Sequence, residues 1–317
     1  ADRGHHAARL VVFAVAAVEK GKADATALGA QLATAALDAG KLPASSVRFA
    51  VTHPTPGEEE LLLAGIYSRL DRLTPIIGGS AADNDLSGQW STWTHQFVSK
   101  NGAVLGLCDW PWKLAINYQS GYLPTAKRGK VTRADGRRLY EIDGRPAAEV
   151  YDEWMGGKLK QFFAQGANVL AHTTMSPLGV TRGLFGGIEA YVLIHPEQVI
   201  AEDRSLTLFT RVKVGEDLVM MTSSPDALVA RGANVARLAL GRAGLKPDQI
   251  VGGLLVYCGG CTLAIQDRMP EMLTEFERVL GKAPYVGYFS FGEQGCVLPR
   301  QVDHGNLMAS VLLLSAS

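Results

Sequence analysis

The sequence predicts an α/β protein of two similar βαβαβ-type units with mixed sheets arising from an internal repeat. Three observations carry that expectation. Residues 33–79 (ATAALDAGKLPASSVRFAVTHPT…RLTPIIGG) and 236–288 (ARLALGRAGLKPDQIVGGLLVYCGG…GKAPYVGY) share one plan. Each closes a helix on Ala-Gly, turns at a Pro, runs an apolar strand into a loop, and leads through a second helix to a Pro and a Gly. Pro75 matches Pro284 and Gly78 matches Gly287. Helices also alternate with apolar strands along both halves, which is the signature of α/β layers.

In the first unit a strand is expected at 10–18, a helix over Ala25 to Ala39 and a strand at 47–52. A helix follows at 57–70, where Glu58, Glu59 and Glu60 complement an N-terminal dipole. A strand at 75–78 runs into Gly78-Gly79-Ser80. The stretch 92–118 alternates between turn signals, clearest at Lys100-Asn101-Gly102, and reads as antiparallel strands. Residues 119–145 read as a turn-rich, basic crossing. Helices are expected near Pro146 and over 156–165, a Gly-rich loop at 179–187, and strands at 189–194, 205–212 and 217–222. The second unit then repeats the first: helix 225–243, strand 250–257, helix 269–280, strand 284–291 and a last strand from Asn306 to Leu314.

Composition narrows the function classes. The 317 residues are 47% hydrophobic, enough for one or two buried domains, and 31 basic side chains balance 31 acidic ones. That balance gives no reason to expect nucleic acid or an anionic membrane as partner. The run from Leu10 to Val18 is too short to span a bilayer, and Glu19-Lys20-Gly21-Lys22 is no processing site. The start at Ala1 without Met points to a trimmed or processed upstream piece, and His5-His6 reads as a disordered end or a tag. Four cysteines in so long a chain form no disulfide framework, so a reduced, cytoplasmic protein is expected.

Several constellations could carry chemistry. Cys258-Gly259-Gly260-Cys261 is a C-x-x-C at a strand end. Thiol–disulfide work needs such a Cys at a helix N-terminus, and here Thr262 to Arg268 separates it from the next expected helix. Zinc would require Cys258, Cys261, Cys296 and His304 together. The plain alternative is a small buried strand-end residue followed by a tight turn. Gly78-Gly79-Ser80 with Asp83-Asn84, read as the equivalent loop of the first half, could form a polar floor for a small ligand but is no phosphate loop. Glu293, His304 and Asn306 put a carboxylate, an imidazole and an amide near one strand end, without a matched nucleophile. Trp90, Trp93, Trp110, Trp112 and Tyr118 crowd the first antiparallel segment as core, interface or pocket wall.

With these residues on the page, the chain resembles the FIST family. The resemblance covers nearly its whole length. Pro75-Ile76-Ile77-Gly78-Gly79-Ser80 is similar to the family's N-terminal signature, and Val131-Thr132-Arg133 through Tyr140 to Ala147 and Tyr151 to its middle segment. Pro177 to Val180 and Tyr191 to Leu193 continue it. Cys258-Gly259-Gly260, Pro284 to Tyr288, Phe291-Gly292-Glu293 and His304-Gly305-Asn306 are its most specific pieces. The family usually has Cys-Ala-Gly-Arg where this chain has Cys-Gly-Gly-Cys, so Cys261 stands in for an arginine that could pair with an anion.

The resemblance implies an N-type domain over 9–148 and a C-type domain over 149–317. It implies a cytoplasmic, non-enzymatic sensor that binds a small, amino-acid-like ligand between two related units without a cofactor. A separate effector, such as a histidine kinase or a cyclic-di-nucleotide enzyme, would receive the signal, since no output domain is fused. The ligand residues would be Gly78, Gly79, Ser80, Asp83, Asn84, Cys258, Gly259, Gly260, Cys261, Glu293, His304 and Asn306. Three alternatives stay open: a scaffold that kept the fold without the ligand, a haem-based nitric-oxide sensor using His53, His95, His172, His195 or His304, and a metal or thiol enzyme centred on Cys258 and Cys261.

Overall fold

The computed structural model describes residues 11–21, 23–71, 74–85 and 87–316. Leu10 and His5-His6 lie outside them. The first half contains β1 (Val12–Glu19), α1 (Ala25–Gly40), β2 (Phe49–Pro54), α2 (Glu59–Tyr67), β3 (Ile76–Gly79), β4 (Thr92–Thr94), β5 (Phe97–Ser99), β6 (Gly102–Asp109) and β7 (Leu114–Gln119). A middle stretch follows with β8 (Leu123–Asp135), β9 (Arg138–Ile142), β10 (Arg145–Pro146), α3 (Ala147–Trp154), β11 (Ala167–Asn168), α4 (Leu170–Thr173), β12 (Leu178–Phe185), β13 (Ile188–Ile194), β14 (Pro196–Val199), β15 (Leu206–Leu208) and β16 (Asp217–Thr222). The last part contains α5 (Pro225–Ala243), β17 (Ile250–Cys258), α6 (Gly259–Ala264), α7 (Met269–Leu280), β18 (Tyr285–Ser290), β19 (Glu293–Gly295), β20 (Asp303–Gly305) and β21 (Ala309–Ser315).

The repeat is a repeat of topology. One sheet runs β1-β6-β2-β3 and then continues into β19-β20; another runs β7-β21-β17-β18. In each, one pair is parallel (β2 with β3, Ala50 opposite Ile76; β17 with β18, Gly253 opposite Tyr285) and the other two pairs are antiparallel. Strand β7 is therefore the counterpart of β1, and the second unit resumes at α5 only after the middle stretch.

The two sheets pack face to face through Phe49, Ile77 and Cys108 on one and Val256 and Leu312 on the other. Their outer faces carry helices. Leu28, Leu32, Leu62 and Ile66 cover the first sheet, and Ala236, Leu240, Phe276 and Leu280 cover the second. Each such leucine or phenylalanine taken out of water contributes roughly 2 kcal/mol.

Local signals fix the helices. Asp24 caps α1 by accepting from the Ala27 amide at 2.8 Å. Ser224 caps α5, Pro225 opens it and Gly244, in the left-handed region, ends it. Helices α1 and α2 cross at backbone contact, because a Cβ on Gly29 would lie 2.1 Å from the Leu62 carbonyl and one on Gly65 2.0 Å from the Thr26 carbonyl.

The middle stretch departs most from expectation. Residues 119–145 are not a crossing loop: the long β8 and the five-residue β9 belong to a nine-stranded sheet, and Val131, Leu139 and Ile142 share a core with Tyr151 of α3. Their exposed faces are basic, so charge hid the alternation. The expected loop at 179–187 is strand β12, with only Gly186-Gly187 turning into β13. The expected helix over 156–165 reduces to a single tight turn at Lys160–Phe162, and the strand at 205–212 to Leu206–Leu208. The antiparallel reading of 92–118 holds, with β4 and β5 forming a hairpin.

Candidate functional site

Three parts of the fold meet at the end of β3. Strand β19 crosses over to pair with it, placing Glu293 opposite Gly79 and Gln294 opposite Gly78, and β20 brings His304 opposite Gln294. Backbone bonds close the junction: Ser80 donates to the Gly292 carbonyl at 2.8 Å and Phe291 to the Ser80 carbonyl at 3.1 Å. Gly292, at φ +105°, is pressed on the His304 ring, where any Cβ would sit 2.4 Å from Cε1. Side chains then join the halves. Ser80 Oγ donates to Glu59 Oε1 at 2.8 Å, and Gln294 Nε2 donates to Ser80 Oγ at 3.2 Å and lies 3.2 Å from His304 Nδ1. His304 Nε2 stands 3.8 Å from Glu59 Oε1.

The third part is the turn between β8 and β9. It sends Arg137 to Glu59 Oε2 at 2.5 Å and Glu60 Oε2 at 2.9 Å. Glu59 is 1% exposed. Burial would raise its carboxyl, but His304 and Arg137 outweigh burial and hold it down at about 2. Lys20 caps the same corner, its ammonium on the carbonyls of Thr55, Pro56 and Gly57, and burial lowers it. Gln294 Oε1 and His304 Nε2 have no hydrogen-bond partner among the described residues. The seam thus holds two orphaned polar atoms, His304 Nε2 on the Glu59 side of the ring and Gln294 Oε1 on the amide whose nitrogen meets Nδ1.

Glu293 connects this seam to the cysteine loop. Ser290 Oγ donates to Oε1 at 2.7 Å and the Met308 amide to Oε2 at 2.8 Å. Burial pushes its carboxyl up to about 8, against those two bonds, and Cys261 adds to the rise. Cys258 ends β17 opposite Ser290 of β18. The expectation that the C-x-x-C lies away from a helix is wrong: α6 starts at Gly259, with Cys258 as its cap. The loop pairing expected from the repeat is also wrong. By topology Cys258-Gly259-Gly260 follows the counterpart of β2, so its equivalent is the turn before Glu59, while Gly78-Gly79-Ser80 matches the end of β18.

Cys261 is completely buried beside Arg231, whose Nη1 is 3.3 Å from its sulfur and whose guanidinium lies 4.0 Å over the Tyr257 ring. Burial would raise the Cys261 thiol, but a hydrogen bond from Cys258 and the Arg231 charge bring it down to about 6. The same hydrogen bond, with burial, pushes Cys258 well up.

The other expected residues are placed elsewhere. Asp83 and Asn84 lie in the loop after β3, where Asp83 accepts from the Gln89 amide at 2.9 Å. Asn306 Oδ1 accepts from Thr210 Oγ1 and the His195 amide, tying the middle sheet to the second unit. Trp110 donates to the Ser315 carbonyl at 3.1 Å and packs on Trp112, and Tyr118 donates to the Glu293 carbonyl. Among the described residues no group of three His, Cys, Asp or Glu side chains could hold a metal, so the zinc set is not assembled. The histidines offered for haem are not gathered at one slot, and His95 is exposed. His304 and His195 are packed in the interior, His53 lies against Tyr288, and His172 against Phe162. Clefts of about 370 Å³ beside Leu240 and Arg278 and about 200 Å³ beside Lys20 and Gly57 have no histidine in their walls.

Sequence reasoning missed Glu59, Arg137, Gln294 and Arg231. Glu59 was legible only as a helix-opening acid, Arg137 as one of a basic run and Arg231 as a polar residue of an amphipathic helix. Gln294, between Glu293 and Gly295, was adjacent to the residues chosen.

Comparisons with known proteins agree with this layout. The chain matches the FIST N domain over residues 2–145 and the FIST C domain over residues 147–296. It is 30% identical over 163 residues to an uncharacterized protein of Methanocaldococcus jannaschii, a stretch that is 49% of this chain and 30% of that protein's length. A solved cyanuric acid hydrolase from A. caulinodans aligns over 97% of this chain and 100% of its own, at TM-score 0.24 and 10% identity. No helix among the described residues is long and apolar enough to cross a membrane.

Proposed function

The chain belongs to the FIST family, whose domains are generally sensory and ligand-binding, and from that premise we propose that it is a non-enzymatic sensor for a small, amino-acid-like ligand held between its two α/β units. The observation that supports this most is the seam itself. Gln294 Oε1 is an unpartnered buried acceptor suited to an ammonium group, and His304 Nε2, when protonated, a donor suited to a carboxylate. Glu59, Ser80 and Arg137 would orient the charged ends. The units correspond to an N-type part at 9–148 and a C-type part at 149–317, and the protein works in the cytoplasm. Ligand binding would favour an arrangement in which β19 and β20 move against β3, and that shift would reach a separate effector, such as a histidine kinase or a cyclic-di-nucleotide enzyme.

A second reading has its own support. Ser80, Glu293, Gln294 and His304 are all closed off from solvent, which suits a scaffold that kept the fold without the ligand. Calorimetric titration of the purified protein with each of the twenty amino acids separates the two. Saturable binding that Gln294→Ala weakens at least tenfold supports the sensor; no binding across the series supports the scaffold.

A further inference from the structure

The structure assigns a second reactive site to this chain, separate from ligand binding: we infer that Cys258 and Cys261 form a peroxide-reactive dithiol, with Cys261 as the attacking sulfur and Cys258 as the resolving one. The reasoning begins with Arg231. Its side chain is completely buried, and Nη1 donates to the Ser120 carbonyl at 3.0 Å, the Leu307 carbonyl at 2.7 Å and Cys261 Sγ at 3.3 Å. Its Nε and Nη2 find no acceptor among the described residues. A buried guanidinium is costly unless a negative charge accompanies it. Among its hydrogen-bond partners only the sulfur can supply that charge.

The rest of the surroundings agree. Tyr122 OH lies 3.7 Å from the Cys261 sulfur, Tyr257 presents its ring to Arg231, and Glu293 faces the pair as a carboxyl kept neutral near pH 7 by burial. The topology places the pair where the first unit has its own anion. The helix after β2 opens with Glu59 against Arg137, and the helix after β17 opens with the cysteines against Arg231. A thiolate takes the role of a carboxylate, and unlike a carboxylate it can be oxidised.

The chemistry balances with hydrogen peroxide as oxidant. The Cys261 thiolate attacks one peroxide oxygen, the O–O bond breaks, and the leaving hydroxide takes a proton from solvent to become water. Cys258 loses its proton and its sulfur attacks Cys261, forming the S–S bond while the S–O bond breaks and a second water leaves. Two thiols and one peroxide give one disulfide and two waters. Cys258 caps α6 and Cys261 lies in its first turn, three positions on. Cys108 and Cys296 stay out of this reaction, since burial pushes their thiols up to about 12 and about 11. Loss of the thiolate would change the field at Glu293, on which both Cys261 and Arg231 act, and so reach the strand that pairs with Gly79.

The test uses the reduced full chain and hydrogen peroxide in slight excess at pH 7. The expected result is loss of two of the four free thiols, a mass lower by about 2 Da, and a peptide map joining Cys258 to Cys261. In Cys258→Ser a dimedone-trapped sulfenic acid should accumulate on Cys261, and Arg231→Gln should slow oxidation about tenfold. Four free thiols after treatment, or oxidation that begins at Cys108 or Cys296, overturns the assignment. Should Arg231→Gln fail to fold, the pH profile of the wild-type rate decides: half-maximal reaction near pH 6 supports the site, and near pH 9 overturns it.

Discussion

Gln294 donates its side-chain amide to Ser80 at 3.2 Å, so a residue near the end of the chain holds one from the end of β3. The same Gln294 nitrogen lies 3.2 Å from His304 Nδ1. Removing the amide leaves buried groups without a partner, which costs about 1–3 kcal/mol. Gln294→Leu should therefore lower the stability of the chain by that amount in urea. An unchanged midpoint would mean that the seam is held by its backbone pairing alone.

Glu59 has a larger part, because it is the counter-ion of a partly buried arginine. Glu59→Gln leaves Arg137 with only Glu60 and should cost about 3–5 kcal/mol, as expected when one member of a buried pair is removed. The double change Glu59→Gln with Arg137→Met should recover most of that loss. Chemical unfolding of the three proteins forms a double-mutant cycle, and additive losses would refute the coupling.

Two buried carboxyls pull the pH dependence in opposite directions. Glu59 is depressed to about 2, so its contribution is complete above the ordinary carboxyl range near 4.5 and is lost as pH falls toward 2. Glu293 is raised to about 8, so its contribution is complete below 4.5 and is lost as pH rises through 8. Stability should peak between these windows, near pH 5, as far as these two groups decide it. Glu293→Gln should flatten the decline between pH 5 and 8. Thermal scans across that range that show the same slope in wild type and variant would remove Glu293 from the explanation.

Much of the frame was legible in the sequence because helix caps, Pro-Gly punctuation and apolar periodicity act locally. Asp24, Ser224 and Gly244 sit where the chain itself says helices begin and end. The repeat also predicted that two units face each other. The middle sheet was hidden because strand β8 exposes Lys127, Arg128 and Lys130, and a strand with five charged residues among its thirteen reads as a loop. The site was half legible for a different reason. Ser80, Glu293 and His304 lie in glycine-rich strand ends that any reading would select, whereas Glu59, Arg137 and Arg231 act through tertiary contacts 30 or more residues away in the chain. Nothing local marks a helical arginine as the partner of a thiol.

The crossing of α1 and α2 gives the last prediction. Gly65 brings its helix so near α1 that a methyl group there would overlap the Thr26 carbonyl at 2.0 Å and approach the Ala30 amide at 2.8 Å. Backbone cannot step aside as a side-chain tip can, so the helices must separate and Leu62, Leu63 and Ile66 lose part of their packing against the first sheet. Gly65→Ala should destabilise by about 1–3 kcal/mol, although alanine is the better helix former by up to about 1 kcal/mol. Gly241 in α5 supplies the contrast, because a Cβ there meets nothing within 4 Å. With the steric term absent, Gly241→Ala should stabilise by about 0.5–1 kcal/mol. If urea unfolding shows the same sign for both changes, the tight crossing does not set the spacing of the two helices.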